Sequence, residues 1–259
     1  QAVRDAQQAA RGDFLTHILR PDLELDSPTL ERAHLVGYQL DHPHQALFVT
    51  SQPAAGGTVA QLAAQLDNWL RGLGEWGLVV IRERGIALVV RSKANAAGQA
   101  LAQRLVAELS HPAQPLVVGV GQVYPGEKSL RRSYDEALEA ADIGRRLGVE
   151  ARVVCFWELG LLDWLYRLPS EVLAGNYYLA KLRALAEHDE RTNGDMVRTL
   201  EAYLEYGGAL AEAASALSIH RNTLLYRLGR IEEIAGLDMK DVGQRLNLHV
   251  ALKAHMLKL

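Results

Sequence analysis

Every run in this chain that reads as a strand lies before residue 157, and everything beyond Leu159 carries helical periodicity. No other feature constrains the fold as much. Alternating strands and helices build a layered sheet, whereas an unbroken series of amphipathic helices needs a core of its own. In the first part, "QALFVT" (45–50) reads as a strand and "VAQLAAQLDNWLRGL" (59–73) as a helix, and "LVVIRERGIALVV" (78–90) reads as two strands folded at Glu83 to Gly85. Then follow a helix at 94–109, a strand at "LVVGVG" (116–121), a helix at 129–148 closed by Gly148, and a last strand, "ARVVCF" (151–156). This β-α-β-β-α-β-α-β order predicts a mixed sheet covered by helices, not a doubly wound parallel sheet, so the expected class is α+β.

The ends of the pattern set the expected domains. Residues 1–20 place Val3, Ala6, Ala10, Phe14 and Ile18 on one helical stripe stopped by Pro21, a stripe that could pair with a copy of itself. A second helical segment runs from Pro28 to Leu35. The chain starts with Gln1, inside a helix, which suggests a fragment of a longer protein with an upstream sensory or partner region. After Pro169, "VLAGNYYLAKLRALAEHD" bridges to "TNGDMVRTLEAYLEYGG", where Asn193-Gly194 marks a turn and Gly207-Gly208 ends a helix. The expected division is 1–30, a connecting and dimerisation helix; 31–165, a sheet domain; 166–192, a helical linker; and 193–259, a helical domain.

Within that last domain "SIHRNTLLYRLGRI" (218–231) sets Leu224, Leu228 and Ile231, continued by Ala235, at intervals of three and four residues, the pattern of a face turned to a core. At about 100° per residue, Asn222, Thr223, Tyr226, Gly229 and Arg230 fall opposite that stripe, with Arg227 on its flank and Arg221 at the helix entry. Just upstream, "ALAEAASALS" (209–218) brings Leu210, Ala213, Ala214 and Leu217 to one face, and only Ser218 to His220, with an expected buried Ile219, separate the two helices. A short helix, a tight turn and a second helix with a polar outer face is helix-turn-helix geometry, in which the second helix enters the DNA major groove. Asn222 and Thr223 in the first turn would reach base edges, and Arg221, Arg227 and Arg230 suit guanine or phosphate. Tyr226 offers its hydroxyl to phosphate and its ring to a sugar or thymine methyl. His220 either caps the helix or touches phosphate. Gly229 costs roughly 1 kcal/mol relative to alanine, either for close approach or as a tolerated accident. The competing reading of the arginines is a solvated face paired with Glu232 and Glu233.

Composition limits the alternatives. A 259-residue chain with 49% hydrophobic residues can fill two cores. Net charge −3 excludes a polycation that coats nucleic acid or anionic lipid, so DNA binding must be local. From residue 191 onward there are nine Lys+Arg against eight Asp+Glu, and before it nineteen against twenty-three. Cys155 is the only cysteine, which excludes an internal disulfide and fits a buried small hydrophobe in a reducing cytoplasm. No apolar run approaches the roughly 20 residues that span a bilayer.

The wording of "AASALSIHRNTLLYRLGRIEEIAGLD", continued by "VGQRLNLHVALKAHML", resembles the C-terminal helix-turn-helix of the PucR/CdaR family of bacterial transcriptional regulators. From about residue 33 to 160, the strand order and "LVVGVGQVYPGEKSLRRSYDEALEAADIGRRLGVEARVVCF" resemble a GGDEF-type nucleotide cyclase domain, in the degenerate form that precedes the helix-turn-helix in CdaR-like regulators. The resemblance implies a mixed-sheet GGDEF-like (ferredoxin- or palm-like) domain followed by an all-α helix-turn-helix domain. It implies a cytoplasmic, sequence-specific regulator of a metabolic operon with 220–235 as recognition helix. Its partners would be double-stranded DNA, further copies in a homodimer or higher homo-oligomer, and a small-molecule effector taken here or by a missing N-terminal domain. No cofactor, metal or membrane is implied.

A working cyclase needs glycines that approach a nucleotide and carboxylates that hold Mg²⁺ at the central hairpin. Here Gly85 is followed by Ile86 and Ala87, with Glu83 out of place, so cyclase activity is not expected. The alternatives are a nucleotide-binding or cyclase-like enzyme with a helical dimerisation module, disfavoured by that hairpin, and a ligand-binding or scaffolding protein whose C-terminal helices only dimerise, which would want an apolar outer face. "DHPH" (41–44), near His34, lacks metal-box spacing and reads as a solvated loop. "GVG" (119–121) lacks a dinucleotide fingerprint.

Overall fold

The computed structural model describes residues 2–19, 27–39, 42–51, 58–112, 114–124, 129–148 and 152–257. The chain divides into two compact units, Gln1–Asp163 and Trp164–Leu259. In the first unit α1 (Ala2–Ile18) and α2 (Ser27–Leu35) precede β1 (His44–Ser51), α3 (Val59–Gly72), β2 (Gly77–Arg82) and β3 (Gly85–Arg91). Then come α4 (Asn95–Leu109), β4 (Leu116–Val120), α5 (Ser129–Arg146), β5 (Arg152–Cys155) and a 3-10 turn, Phe156–Glu158. The strand and helix order is the one read from the sequence. Among the described residues the sheet runs β2-β3-β1-β4-β5, with β4 and β5 parallel and every other pairing antiparallel, which makes it mixed.

Alternation along the strands distributes side chains between two cores. Ala46, Phe48, Leu78, Val80, Ala87 and Val89 pack with Phe14, Leu15 and Ile18 of α1 and Leu130, Ala137 and Ala141 of α5. The intervening residues Leu47, Val49, Val79, Ile86, Leu88 and Val90 pack with Leu62, Leu66 and Leu70 of α3 and Ala102 and Leu105 of α4. With both faces covered, the central strands read as continuous apolar runs. A capping box starts α3: the Thr58 hydroxyl accepts from Gln61 N at 3.2 Å, and Gln61 Oε1 accepts from Thr58 N at 2.9 Å. Cys155 is 1% exposed, and burial, with the charge of Glu158 second, pushes its thiol up to about 12.

The glycines of "GVG" serve packing. A Cβ on Gly119 would lie 2.0 Å from the Ala137 carbonyl oxygen and one on Gly121 1.8 Å from that of Ser133, so α5 rests directly on the strand backbone.

Two expectations change. The C-terminal end of the α1 stripe does not stand free for a second copy, because Phe14, Leu15, Ile18 and Leu19 are buried in the core of their own unit; Ala6 and Ala10 are exposed. The "DHPH" stretch is not a solvated loop throughout. Asp41 lies outside the described residues and His42 is exposed, but His44 opens β1 at 1% exposure, stacked on Tyr38 at 4.0 Å and edge-on to Trp76 at 5.3 Å. Pairing of His44 with Arg91 places the ring inside the sheet rather than before it.

The second unit is helical. The boundary falls within α6 (Leu161–Arg167), which is followed by α7 (Ser170–Ala174), α8 (Tyr177–Thr192), α9 (Met196–Glu205), α10 (Leu210–Ala216), α11 (Arg221–Ala235) and α12 (Val242–Met256). The bridging segment divides between α7 and α8 at Gly175 and Asn176, where the Asn176 side chain caps α8 by accepting from Leu179 N at 3.1 Å. Leu182 and Leu185 of α8 are fully buried with Leu200, Leu204, Ala213, Leu224, Leu228, Ile231 and Leu248. The expected turn at Asn193-Gly194 is present, with Asn193 left-handed at φ 50°. Asp189 closes it by accepting from the backbone N–H groups of Met196 and Val197, both at 2.8 Å. No helix among the described residues is long and apolar enough to cross a membrane.

Candidate nucleic-acid interface

The polar helix is held from below by its own apolar stripe. Leu224, Leu228, Ile231 and Ala235 of α11 are between 0% and 6% exposed. Beside them, Ala213 and Ala214 of α10 are buried, small enough for the two helices to approach closely. The turn depends on Ser218, left-handed at φ 55°, and on the N–H of Ile219 returning to the Ala214 carbonyl at 3.0 Å. Serine is an unusual residue in that conformation, so the sequence carried no signal for it. Ile219 is half-buried against the core rather than fully enclosed, because it sits in the turn between the helices.

His220 resolves to a cap: its Nδ1 accepts from Asn222 N at 3.2 Å. At the other end Gly236, at φ 64°, ends α11 with its N–H on the Glu232 carbonyl at 2.8 Å. The Glu232 carboxylate then accepts from Met239 N at 2.8 Å, so it braces the following loop.

The outer face sorts the six expected site residues into two groups. Arg221, Asn222, Thr223 and Tyr226 are exposed, Tyr226 at 69%, and no ion pair engages Arg221 among the described residues. Arg227 and Arg230 are committed within the unit. Arg227 is half-buried; it donates to the hydroxyl of Thr199 at 3.2 Å and pairs with Asp195 at 3.4 Å, both on or beside α9. Thr199 is fully buried and in turn donates to the Asp195 carbonyl at 2.6 Å. Arg230 pairs with Glu233 one turn on. Asp195 and Thr199 escape sequence reasoning because 32 and 28 residues separate them from Arg227. Leu225, also outside the expected site, is 42% exposed beside Tyr226. Nothing lies within 4 Å of a Cβ placed on Gly229, so packing inside the chain does not require glycine there.

A mixed-sheet unit followed by a helical unit that turns one polar helix face outward defines a two-domain helix-turn-helix protein. Residues 196–254 match the PucR C-terminal helix-turn-helix domain, and residues 22–143 match the GGDEF-like domain. The chain thus carries a GGDEF-like domain followed by a PucR-type C-terminal helix-turn-helix domain, and it is similar to PucR/CdaR-family regulators. The carbohydrate diacid regulator of Escherichia coli (strain K12) is 30% identical over 244 residues, 89% of this chain and 62% of that protein. The DNA-binding transcriptional activator AdeR of Bacillus subtilis (strain 168) is 33% identical over 137 residues, 52% of this chain and 32% of AdeR. The proline-responsive transcriptional activator PutR of the same organism is 26% identical over 205 residues, 76% of this chain and 50% of PutR. This chain therefore spans between 32% and 62% of the length of these relatives.

Proposed function

We propose that the chain is the DNA-reading part of a cytoplasmic transcriptional regulator of a metabolic operon. In this reading α11 enters the major groove of a symmetric operator as part of a homodimer. The observation that carries it is the exposed run of Arg221, Asn222, Thr223 and Tyr226 on a helix whose opposite face is buried. A core helix has no use for that surface, whereas a duplex groove supplies phosphates and base edges to each of those side chains. The dipole of α11 adds partial positive charge at its N-terminal end, where a phosphate would sit. The names of the relatives, a diacid regulator and two transcriptional activators, agree with it.

The GGDEF-like unit is regulatory in this reading. At its hairpin Ile86 and Ala87 are buried at 1% and 0%, and neither side chain can ligate a hard cation. Incubation with GTP and Mg²⁺ checks this directly: cyclic dinucleotide above background would overturn it.

Selection from a random DNA pool, followed by a salt titration on the enriched duplex, tests the main claim. The enriched site should be an inverted repeat, and log affinity should fall linearly with log salt at a slope of about −0.9 per neutralised phosphate. No enrichment, or salt-independent binding, would sink the reading. Sedimentation that finds only monomer with and without DNA would remove the symmetric operator.

A further inference from the structure

At one end of the sheet unit a cavity of about 480 Å³ is lined by Phe48, Thr50 and Ser51 of β1, Arg84 of the β2–β3 turn, and Leu138, Asp142 and Arg145 of α5. Close packing brings the turn to this place. A Cβ on Gly85 would lie 2.4 Å from the Val49 carbonyl oxygen, so only glycine lets the hairpin press against β1 beside Arg84. Asp142 is buried, and both of its oxygens are engaged by arginine. Oδ1 accepts from Arg145 at 2.8 Å and faces Arg84 at 3.5 Å, while Oδ2 accepts from Arg146 at 3.1 Å.

Each guanidinium carries five N–H donors in a planar fork, more than its contact with the Asp142 carboxylate uses. Among the residues that line the cavity, two arginines, Arg84 and Arg145, face one carboxylate, Asp142. Arg84 and Arg145 are each about half-exposed (53% and 54%), held at the cavity wall by a buried anchor yet open to solvent. Size and lining then select the ligand. A volume of about 480 Å³ falls within the roughly 300–1,000 Å³ of small-molecule sites and exceeds a bare inorganic ion, and Phe48 and Leu138 offer apolar wall.

We propose that this cavity binds a small organic oxyanion, a carboxylate or a phosphate ester, clamped by Arg84 and Arg145 with its apolar part against Phe48 and Leu138. Thr50 and Ser51 contribute hydroxyls to the same wall. Asp142 is the positioning residue that presents the arginines.

Calorimetric titration of the 259-residue chain in Tris at matched ionic strength, with adipate, a nucleoside monophosphate and inorganic phosphate as probes, tests this. One organic probe should bind better than inorganic phosphate, and which one binds separates carboxylate from phosphate ester. Arg84→Ala and Arg145→Ala should each weaken it by about tenfold or more, the scale of one lost charge-assisted pair. Arg104→Ala, on α4 and away from the cavity, should leave it unchanged. Ser51→Phe, which fills the cavity while leaving the ion pairs in place, should abolish binding, and it serves as the readout should the arginine variants fail to fold. The proposal is overturned if neither organic probe binds, if inorganic phosphate binds as tightly as both, or if Ser51→Phe binds normally. Because the readout is the ligand itself, failure here leaves the DNA reading standing, and loss of DNA binding leaves this one standing.

Discussion

Arg221 and Arg227 are separated by under two helical turns and by a difference in commitment. Arg221 is exposed at the start of α11, whereas Arg227 is half-buried between Asp195 and the enclosed Thr199. A hydrogen-bonded, partly buried pair of this kind contributes about 1 kcal/mol. Arg227→Ala should therefore lower the free energy of unfolding by about that amount in urea titration, while Arg221→Ala and Asn222→Ala stay within about 0.5 kcal/mol. On an operator duplex, Asn222→Ala should cost about 1–3 kcal/mol if its contact is to a base. A stability loss at Arg221 equal to that at Arg227 would contradict this division. Arg227 thus positions the helix whatever else it touches, which its place on the flank of the apolar stripe did not disclose.

At the scale of elements, close backbone approach decides how α5 sits on β4. Gly121→Ala would drive a Cβ into the Ser133 carbonyl, a backbone atom that cannot swing aside. Overpacking of this kind costs about 1–3 kcal/mol or more, so the variant should melt well below the parent in a thermal scan; an unchanged Tm would mean that α5 is not seated as described. In the helical unit, Glu205 of α9 meets Lys253 of α12, with His249 at 3.7 Å. The hydrogen bond from Lys253 holds the Glu205 carboxyl below its ordinary value despite partial desolvation. A depressed folded value contributes stability above the unfolded range near 4.3, lost as pH falls through the folded value. Since Glu205 is 44% exposed, solvent screening leaves about 0.5 kcal/mol. Glu205→Gln should remove that much at pH 7 and nothing at pH 2, read from paired denaturation curves.

Over the whole molecule the informative fact is that each unit has its own core. The helical core includes Leu182 and Leu185, which lie before residue 193, where the helical domain was expected to begin. Removing two buried leucines of this type costs about 2.7–5 kcal/mol each, comparable with the 5–15 kcal/mol that stabilises an ordinary domain. A fragment 177–259 should therefore melt cooperatively by circular dichroism, whereas 193–259 should not. Equal cooperativity in the two fragments would show that α8 is dispensable.

Periodicity and turn chemistry were enough to read the order of strands and helices along the chain, the mixed sheet, the helix pair and the outward placing of Arg221, Asn222, Thr223 and Tyr226, because period 2 and period 3.6 are properties of neighbouring residues. Tertiary structure alone decided which side chains long-range contacts claim. It buried His44 in an aromatic stack, took the apolar end of α1 into the sheet unit, tied Arg227 to α9, and gathered Arg84 and Arg145 around Asp142. Arg84 and Asp142, like Arg227 and Asp195, lie tens of positions apart, and no local pattern records where a folded chain will bring such pairs.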